Sequence, residues 1–544
     1  MKRRFRLPSL IFIAVIILLT SCGKTNKEGR FIPKTAAVAF IVNGESFSAK
    51  LPWEEVKQNE LFKQLYSDSS LEAFIKTALD NPENTGIDTK KNLFFFAEKD
   101  STGGYVAFEG TIKDAAKFKQ FSSSVTKATE SEKGGIHFLT NEKITASWDK
   151  EKFVIVVDAP EMTDQNKPGA SSVKRDIVAV ASGIYSLSES NSLAKDEKFT
   201  TLVGSKGDVH FWMNINALSS GNARNFSLEM LNLNKLSEGS FITGVANFEN
   251  GRIDVDVRSY SGKEMTDINK KYGDAKLNTD MIKRIPSKDV AVLAAISFKP
   301  EGLREFIKLT GLEGFINLGA GQLGFNFDDF IKANKGDILF SLSDIKKDSS
   351  GKMGMNALFT TSIGDKNSFG KLIEAGNKFL GKEKMGATTP AFFYNRSDNY
   401  FALGTEKLSV DKYISTANNN SFDFIDKASG SSSLFYLNFK TLMIGLNNQL
   451  TTDSLDNIVF QTTISTWENL IATGGGFKDG ATTQHIEINL IDKNTNSLKQ
   501  LNKYLGILGS IQQQKKLNRE KWMSDAMSEN DPIESVSKEE KVSE

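Results

Sequence analysis

The sequence predicts an α+β fold built as two tandem, duplicated halves, each of mostly antiparallel sheets with helices packed on them. Three observations predict it. The chain has 544 residues, too many for one hydrophobic core, since cores stop growing at roughly 250–300 residues. The opening "RFIPKTAAVAFIVN" (30–43) is written a second time as "KRIPSKDVAVLAAIS" (283–297). Hairpin signals and separate amphipathic helices replace the strict βαβα alternation of a doubly wound sheet.

The elements follow in order. Pro33 and Pro286 lack the N–H that a central strand needs, so each belongs at a strand start. The apolar runs behind them, "AVAFIV" and "VAVLAAI", predict strands buried on both faces at a sheet centre. "LFFFAEK" and "YVAFEGTI" in the first half match "ILFSLSD" and "MNALFTTSI" in the second. Each pair is followed by a helical stretch. In the first, Ala115, Phe118, Phe121 and Val125 recur at helical steps behind Asp114 as N-cap. "VHFWMNI" alternates Val209, Phe211 and Met213 with His210, Trp212 and Asn214, which predicts a strand with the second set on a wet face. "RIDVDVRSY" sets Ile253, Val255 and Val257 against Asp254, Asp256 and Arg258. Asn250-Gly251 and Asp479-Gly480 are hairpin turns, because glycine accepts positive φ. Leu498, Leu501, Leu505, Leu508 and Ile511 mark a last helix.

These units give halves at 31–280 and 281–512. A charged tail, 513–544, is expected to be disordered, being poor in large apolar residues. Residues 1–21 read as a signal peptide: Lys2, Arg3, Arg4 and Arg6, then the apolar Leu10–Leu19, then small residues. The apolar run is too short to span a bilayer as a mature helix. "Leu19-Thr20-Ser21-Cys22" resembles the bacterial lipoprotein box, and the resemblance implies that Cys22 is acylated and becomes the first residue. Residues 22–30 would then be the lipidated tether. More than one acyl chain anchors a protein stably, where one is marginal.

Composition excludes several classes. Loss of the four cations at positions 2, 3, 4 and 6 takes the formal charge from +1 to −3, so no nucleic-acid partner is expected. Cys22 is the single cysteine, so no intrachain disulfide forms. The 39 Phe against 10 Tyr and 5 Trp read as core filling.

Catalytic and metal constellations are sparse. His137, His210 and His485 stand apart, without a ligand partner at metal-site spacing, so no metal and no cofactor is expected. "DVDV" lies in a strand and lacks a calcium loop's turn. "SVTK" (124–127) and "SDIK" (343–346) lack the Lys-Thr-Gly of a penicillin-binding set. "TGGG" (473–476) precedes a hairpin turn, whereas a phosphate cradle opens a helix. No catalytic residue is assigned. Trp53, Trp212 and Trp522 are the aromatic candidates for a partner or glycan contact.

With Cys22, "FIPKTAAVAFIVNGES" and "RIPSKDVAVLAAIS" in place, the chain resembles a family of large Bacteroidetes envelope lipoproteins, known as a domain of unknown function. That resemblance implies a membrane-anchored envelope protein and supplies no activity. Gly23 behind Cys22 is similar to the outer-membrane sorting pattern, and Lys24 and Lys27 favour its periplasmic face. The expected function is a non-enzymatic binding or scaffold lipoprotein with an envelope protein or glycan partner. The alternatives are an envelope hydrolase whose site forms only in three dimensions, and a lipid or lipoprotein chaperone. The last requires an apolar cavity lined by Phe.

Overall fold

The computed structural model describes residues 28–67, 76, 79–100, 103–126, 129–159, 175–219, 234–347, 353–382, 392–415, 420–450 and 453–528. Cys22, the signal peptide, Lys127 and residues 529–544 lie outside them.

The strands are β1 Val38–Asn43, β2 Asn92–Asp100, β3 Gly103–Thr111, β4 Thr129–Lys133, β5 Ile136–Thr140, β6 Ile144–Trp148, β7 Lys152–Asp158, β8 Val209–Asn214 and β9 Phe241–Glu249. They continue as β10 Arg252–Tyr260, β11 Val290–Ser297, β12 Asn334–Lys347, β13 Met353–Ile363, β14 Phe393–Arg396, β15 Tyr400–Gly404, β16 Ser433–Asn438, β17 Trp467–Lys478 and β18 Ala481–Leu490. All belong to one sheet, and every pairing in it is antiparallel. Through residue 280 the spatial order is β4-β5-β6-β7-β3-β2-β1-β8-β9-β10. The rest runs β18-β17-β16-β11-β12-β13-β15-β14. Read inward from either end, the two orders correspond once the β4–β5 hairpin is set aside. The expected separate sheets are joined by pairing of β10 with β18.

At that seam Asp256 and His485 are register partners. Each lies five residues after its hairpin glycine, Gly251 or Gly480. Both hairpins form as expected, with φ of +64° at Gly251, +49° at Asp479 and +77° at Gly480. A Cβ on Gly251 would sit 2.5 Å from the Lys493 Cα.

One face of the sheet is covered by helices. In the first half Ile177–Ser186 and Glu197–Gly204 bury Ile177, Ala181, Phe199 and Leu202 against Ala39, Ile41, Phe96, Val154 and Trp212. In the second, Thr279–Lys283 and Asp423–Lys427 bury Met281, Ile282, Phe424 and Ile425 against Leu293, Leu339, Leu434 and Ile471. Each of the larger aliphatic or aromatic side chains contributes about 1.5–3 kcal/mol on full burial. Asp176 and Asp196 cap the first two helices through side-chain acceptors, and Asp114 caps Ala115–Thr126 as expected.

Four expectations need correction. Strands β1 and β11 are central, each paired on both sides, yet only one face of each is covered: Phe40 remains 40% and Ile296 46% exposed. Pro33 and Pro286 precede these strands by several residues, and Pro33 makes an isolated bridge to Ser192. The two phases of β8 are also reversed. His210 and Trp212 are buried, because the Glu197–Gly204 helix brings Phe199 edge-on to the Trp212 ring at 5.9 Å. Finally, the last helix runs Ser497–Ser528, through residues expected to be loose tail.

Candidate apolar binding site

The opposite face of the sheet carries a transverse row of aromatic side chains in each half. In the first, Phe108, Phe95, Phe40 and Phe211 are successive register partners on β3, β2, β1 and β8. Phe95 and Phe108 stack at 4.5 Å. In the second, Tyr394, Leu403, Phe359, Phe340, Ala294 and Phe435 follow one another across β14, β15, β13, β12, β11 and β16. Phe40, Phe95, Phe340, Phe359 and Phe435 are all more than one-third exposed. Strand alternation puts these positions on one face, and the period of two fixes them there.

Beside the seam this face is covered by Phe439–Leu450 and the last helix, which hold Trp467 between Phe439 and Tyr504; helices also close it toward the two ends of the sheet, and they do so differently. In the first half the Ala115–Thr126 helix presses Phe118 onto Trp148 and Phe153, at ring distances of 5.6 and 5.0 Å. That end is solid core. In the second half the Lys366–Lys382 helix lays Phe369, Leu372 and Ile373 over Phe401 and Leu403, flanked by Pro300–Leu309 and Phe327–Ala333. Here a cavity of about 370 Å³ remains, with Leu303, Phe330, Ile338, Phe359 and Gly376 in its wall. Gly376 is exposed at the mouth of this recess, and nothing lies within 4 Å of where its Cβ would stand. A second recess of about 330 Å³ continues along the sheet past the shared Ile338, over Ala294, Phe340, Phe435 and Ala472 to Gln484. Both volumes fall near the lower end of ligand-pocket sizes.

Polar groups in the cavity wall are already engaged. Asn334 Nδ2 donates to Thr361 Oγ1, whose hydroxyl donates to the Asp337 carbonyl at 2.8 Å. Asn334 Oδ1 accepts from the Asp337 N–H at 3.1 Å. At the rim Asn377 Nδ2 meets the Tyr394 hydroxyl at 3.4 Å. No charged side chain lines either recess. A larger recess, about 710 Å³, lies between Glu55–Glu60 and the last helix. Its polar groups serve one another: Lys499 pairs with Glu55 at 2.5 Å and Asn59 with Asn502 at 2.9 Å. It is a polar helix joint rather than a ligand chamber.

The titratable groups gather elsewhere, on the opposite side of the seam strands. His485 Nδ1 lies 2.8 Å from Asp256 Oδ1, and its Nε2 lies 3.6 Å from Glu487 Oε1. Burial pushes the Asp254 carboxyl up. Burial also opposes ionisation of Glu487, yet the hydrogen-bonded Lys427 ammonium holds that carboxyl below its ordinary range. These acids are bound into ion pairs. Among the described residues no group of three His, Cys, Asp or Glu side chains is arranged for a metal ion.

The other sequence candidates are placed as follows. His137 stacks on Trp148 at 5.3 Å, and His210 Nε2 bonds the Ser205 carbonyl at 2.9 Å inside the core. Trp53 donates to the Leu79 carbonyl at 2.8 Å. Trp212 is core, so it is withdrawn as a contact residue. Trp522 is 70% exposed. Ser343 contacts Asp344 rather than Lys346, and Gly475 of "TGGG" is an irregularity in β17 with φ +93°. The aromatic rows were missed as a surface. Their only signal was the Phe surplus, which reads equally as core.

No helix among the described residues is long and apolar enough to cross a membrane. No curated protein matches the sequence. Among solved structures, crystal forms IV and III of TP0453 are similar to parts of the chain, each at 10% identity and TM-score 0.26. Form IV is matched over 43% of this chain and 79% of that one, and form III over 46% and 88%. Residues 30–384 match the family described as "Domain of unknown function (DUF4836)", and the chain therefore belongs to the DUF4836 family.

Proposed function

We propose that this protein is a lipid-anchored, non-enzymatic binding protein of the cell envelope, which holds a hydrophobic molecule against the open face of its sheet. The observation that carries the reading is the apolar cavity beneath the Lys366–Lys382 helix, continuous with exposed Phe340, Phe359 and Phe435. A soluble domain rarely leaves so contiguous an apolar patch to water unless it is an interaction site. The seam acids sit on the other side of the sheet and are ion-paired, which disfavours the hydrolase alternative. Cys22, with the short polar stretch behind it, supports attachment to the outer membrane on its periplasmic face. The shared strand order supports reading the halves as copies.

The test has two arms. Purified chain lacking residues 1–22 is titrated with the apolar fluorophore N-phenylnaphthylamine. Saturable enhancement is expected, and its absence would remove the binding reading. Separately, Cys22→Ala is expected to leave the protein unprocessed or outside the membrane fraction; normal fractionation would remove the anchoring reading.

A further inference from the structure

This step rests on the binding reading and names the ligand, the site and the stoichiometry. We propose that the cavity beneath Pro300–Leu309, Phe327–Ala333 and Lys366–Lys382 takes one saturated hydrocarbon chain of a single-chain amphiphile, whose polar head stays in solvent.

The wall chemistry selects hydrocarbon. Asn334 and Thr361 are satisfied within the protein, so a polar group entering the cavity would lose its water without a new partner, at a substantial cost. That argues against an extended peptide, whose backbone groups need partners. A helix is about 10–12 Å across with its side chains, too wide to enter a half-open recess of about 370 Å³. A bare chain of methylenes meets both limits.

The length fits as well. The two recesses reach from Leu403 on β15, across β13, β12, β11, β16 and β17, to Gln484 on β18. Six strand spacings make about 29 Å. One leaflet of acyl chain is about 15 Å, half of a bilayer's hydrocarbon core. A single chain can therefore lie with its methyl end under the Lys366–Lys382 helix and its head over the open sheet. No charged side chain lines the path, so the head contributes little to affinity. The corresponding end of the first half is packed core around Phe118, Trp148 and Phe153, so one chain per molecule is expected.

The experiment displaces N-phenylnaphthylamine from the protein with saturated fatty acids of eight to sixteen carbons and with lysophosphatidylcholines of the same chains. Affinity is expected to rise about four-fold per methylene, and to be nearly the same for the two heads at equal chain length. Native mass spectrometry is expected to show one chain per monomer. Gly376→Phe, which places a ring at the mouth of the recess, is expected to weaken the longest chain at least 30-fold while melting no lower than wild type. Gly370→Ala, on the same helix and outside the wall, serves as control and binds normally. Undiminished chain binding by Gly376→Phe, two chains per monomer, a ligand-induced dimer, or affinity set by the head would each overturn this proposal while leaving a binding surface intact. Absence of any apolar probe binding would instead overturn the reading beneath it.

Discussion

Glu109→Gln should make the protein's stability much less sensitive to pH. Glu109 sits on β3 with its side chain on the helix-covered face, between register partners Phe94 and Val154. It is 5% exposed, and its Oε2 has no hydrogen-bond partner. Burial pushes the carboxyl up to about 8 from an ordinary 4.5, against a partial counter-pull from Lys152. Below pH 4.5 the folded and unfolded chains both hold the proton, and the full stability is present. Between 4.5 and 8 the unfolded chain releases it and the folded chain keeps it. Stability is therefore lost as pH rises through that window, at up to about 1.4 kcal/mol per pH unit and about 5 kcal/mol in total. The assay is urea unfolding at pH 5, 6.5 and 8, followed by the fluorescence of Trp148 and Trp212, both buried in the same half. Contributions from other titrating groups are common to the two proteins and cancel in the difference. Wild type should lose several kcal/mol more than Glu109→Gln between pH 5 and 8. Identical pH dependence in the two would refute the placement of a neutral acid in this core.

Three further perturbations test other parts. Gly336 has φ +105°, and a Cβ there would lie 1.7 Å from the Phe298 carbonyl oxygen; Gly336→Ala should cost about 3 kcal/mol or more, read as a fall in melting temperature. Asp208 is 2% exposed, pairs with Lys50 at 2.7 Å and accepts the Phe248 N–H at 2.6 Å; Asp208→Ala strands those donors and should cost about 2–3 kcal/mol in denaturant unfolding. Phe340→Ser with Phe435→Ser removes half-exposed rings, so each should change stability by about 1 kcal/mol or less. The pair should nevertheless lower N-phenylnaphthylamine enhancement clearly.

Local chemistry was legible and long-range packing was not. Gly251 and Gly480 announce their hairpins because positive φ leaves few residues a choice. Asp114 announces its helix because a carboxylate satisfies N–H groups two and three residues on. Strand β8 misled because its more polar phase, His210 and Trp212, is the one a helix covers. Which phase is covered depends on a helix, Glu197–Gly204, whose docking no alternation within seven residues can encode. Strands β1 and β11 misled for a related reason: a run apolar on both faces reads as doubly buried, whereas Phe40 and Ile296 face the open side. The cavity was least legible. Its wall draws on residues from Phe298 to Leu403, which only the folded chain brings together.

The pairing of β10 with β18 has a consequence for behaviour in a crowded compartment. Two half-sheets standing alone would expose four unpaired strands, each a template for adding another chain. Joining them consumes two and, among the described strands, leaves β4 and β14 to guard. Strand β4 is Thr-Glu-Ser-Glu-Lys, exposed at every position, and β14 is four residues long and ends in Arg396. Charge at one terminus and brevity at the other discourage polymer growth. The molecule can thus leave a wide apolar face open to water without offering its backbone to its neighbours.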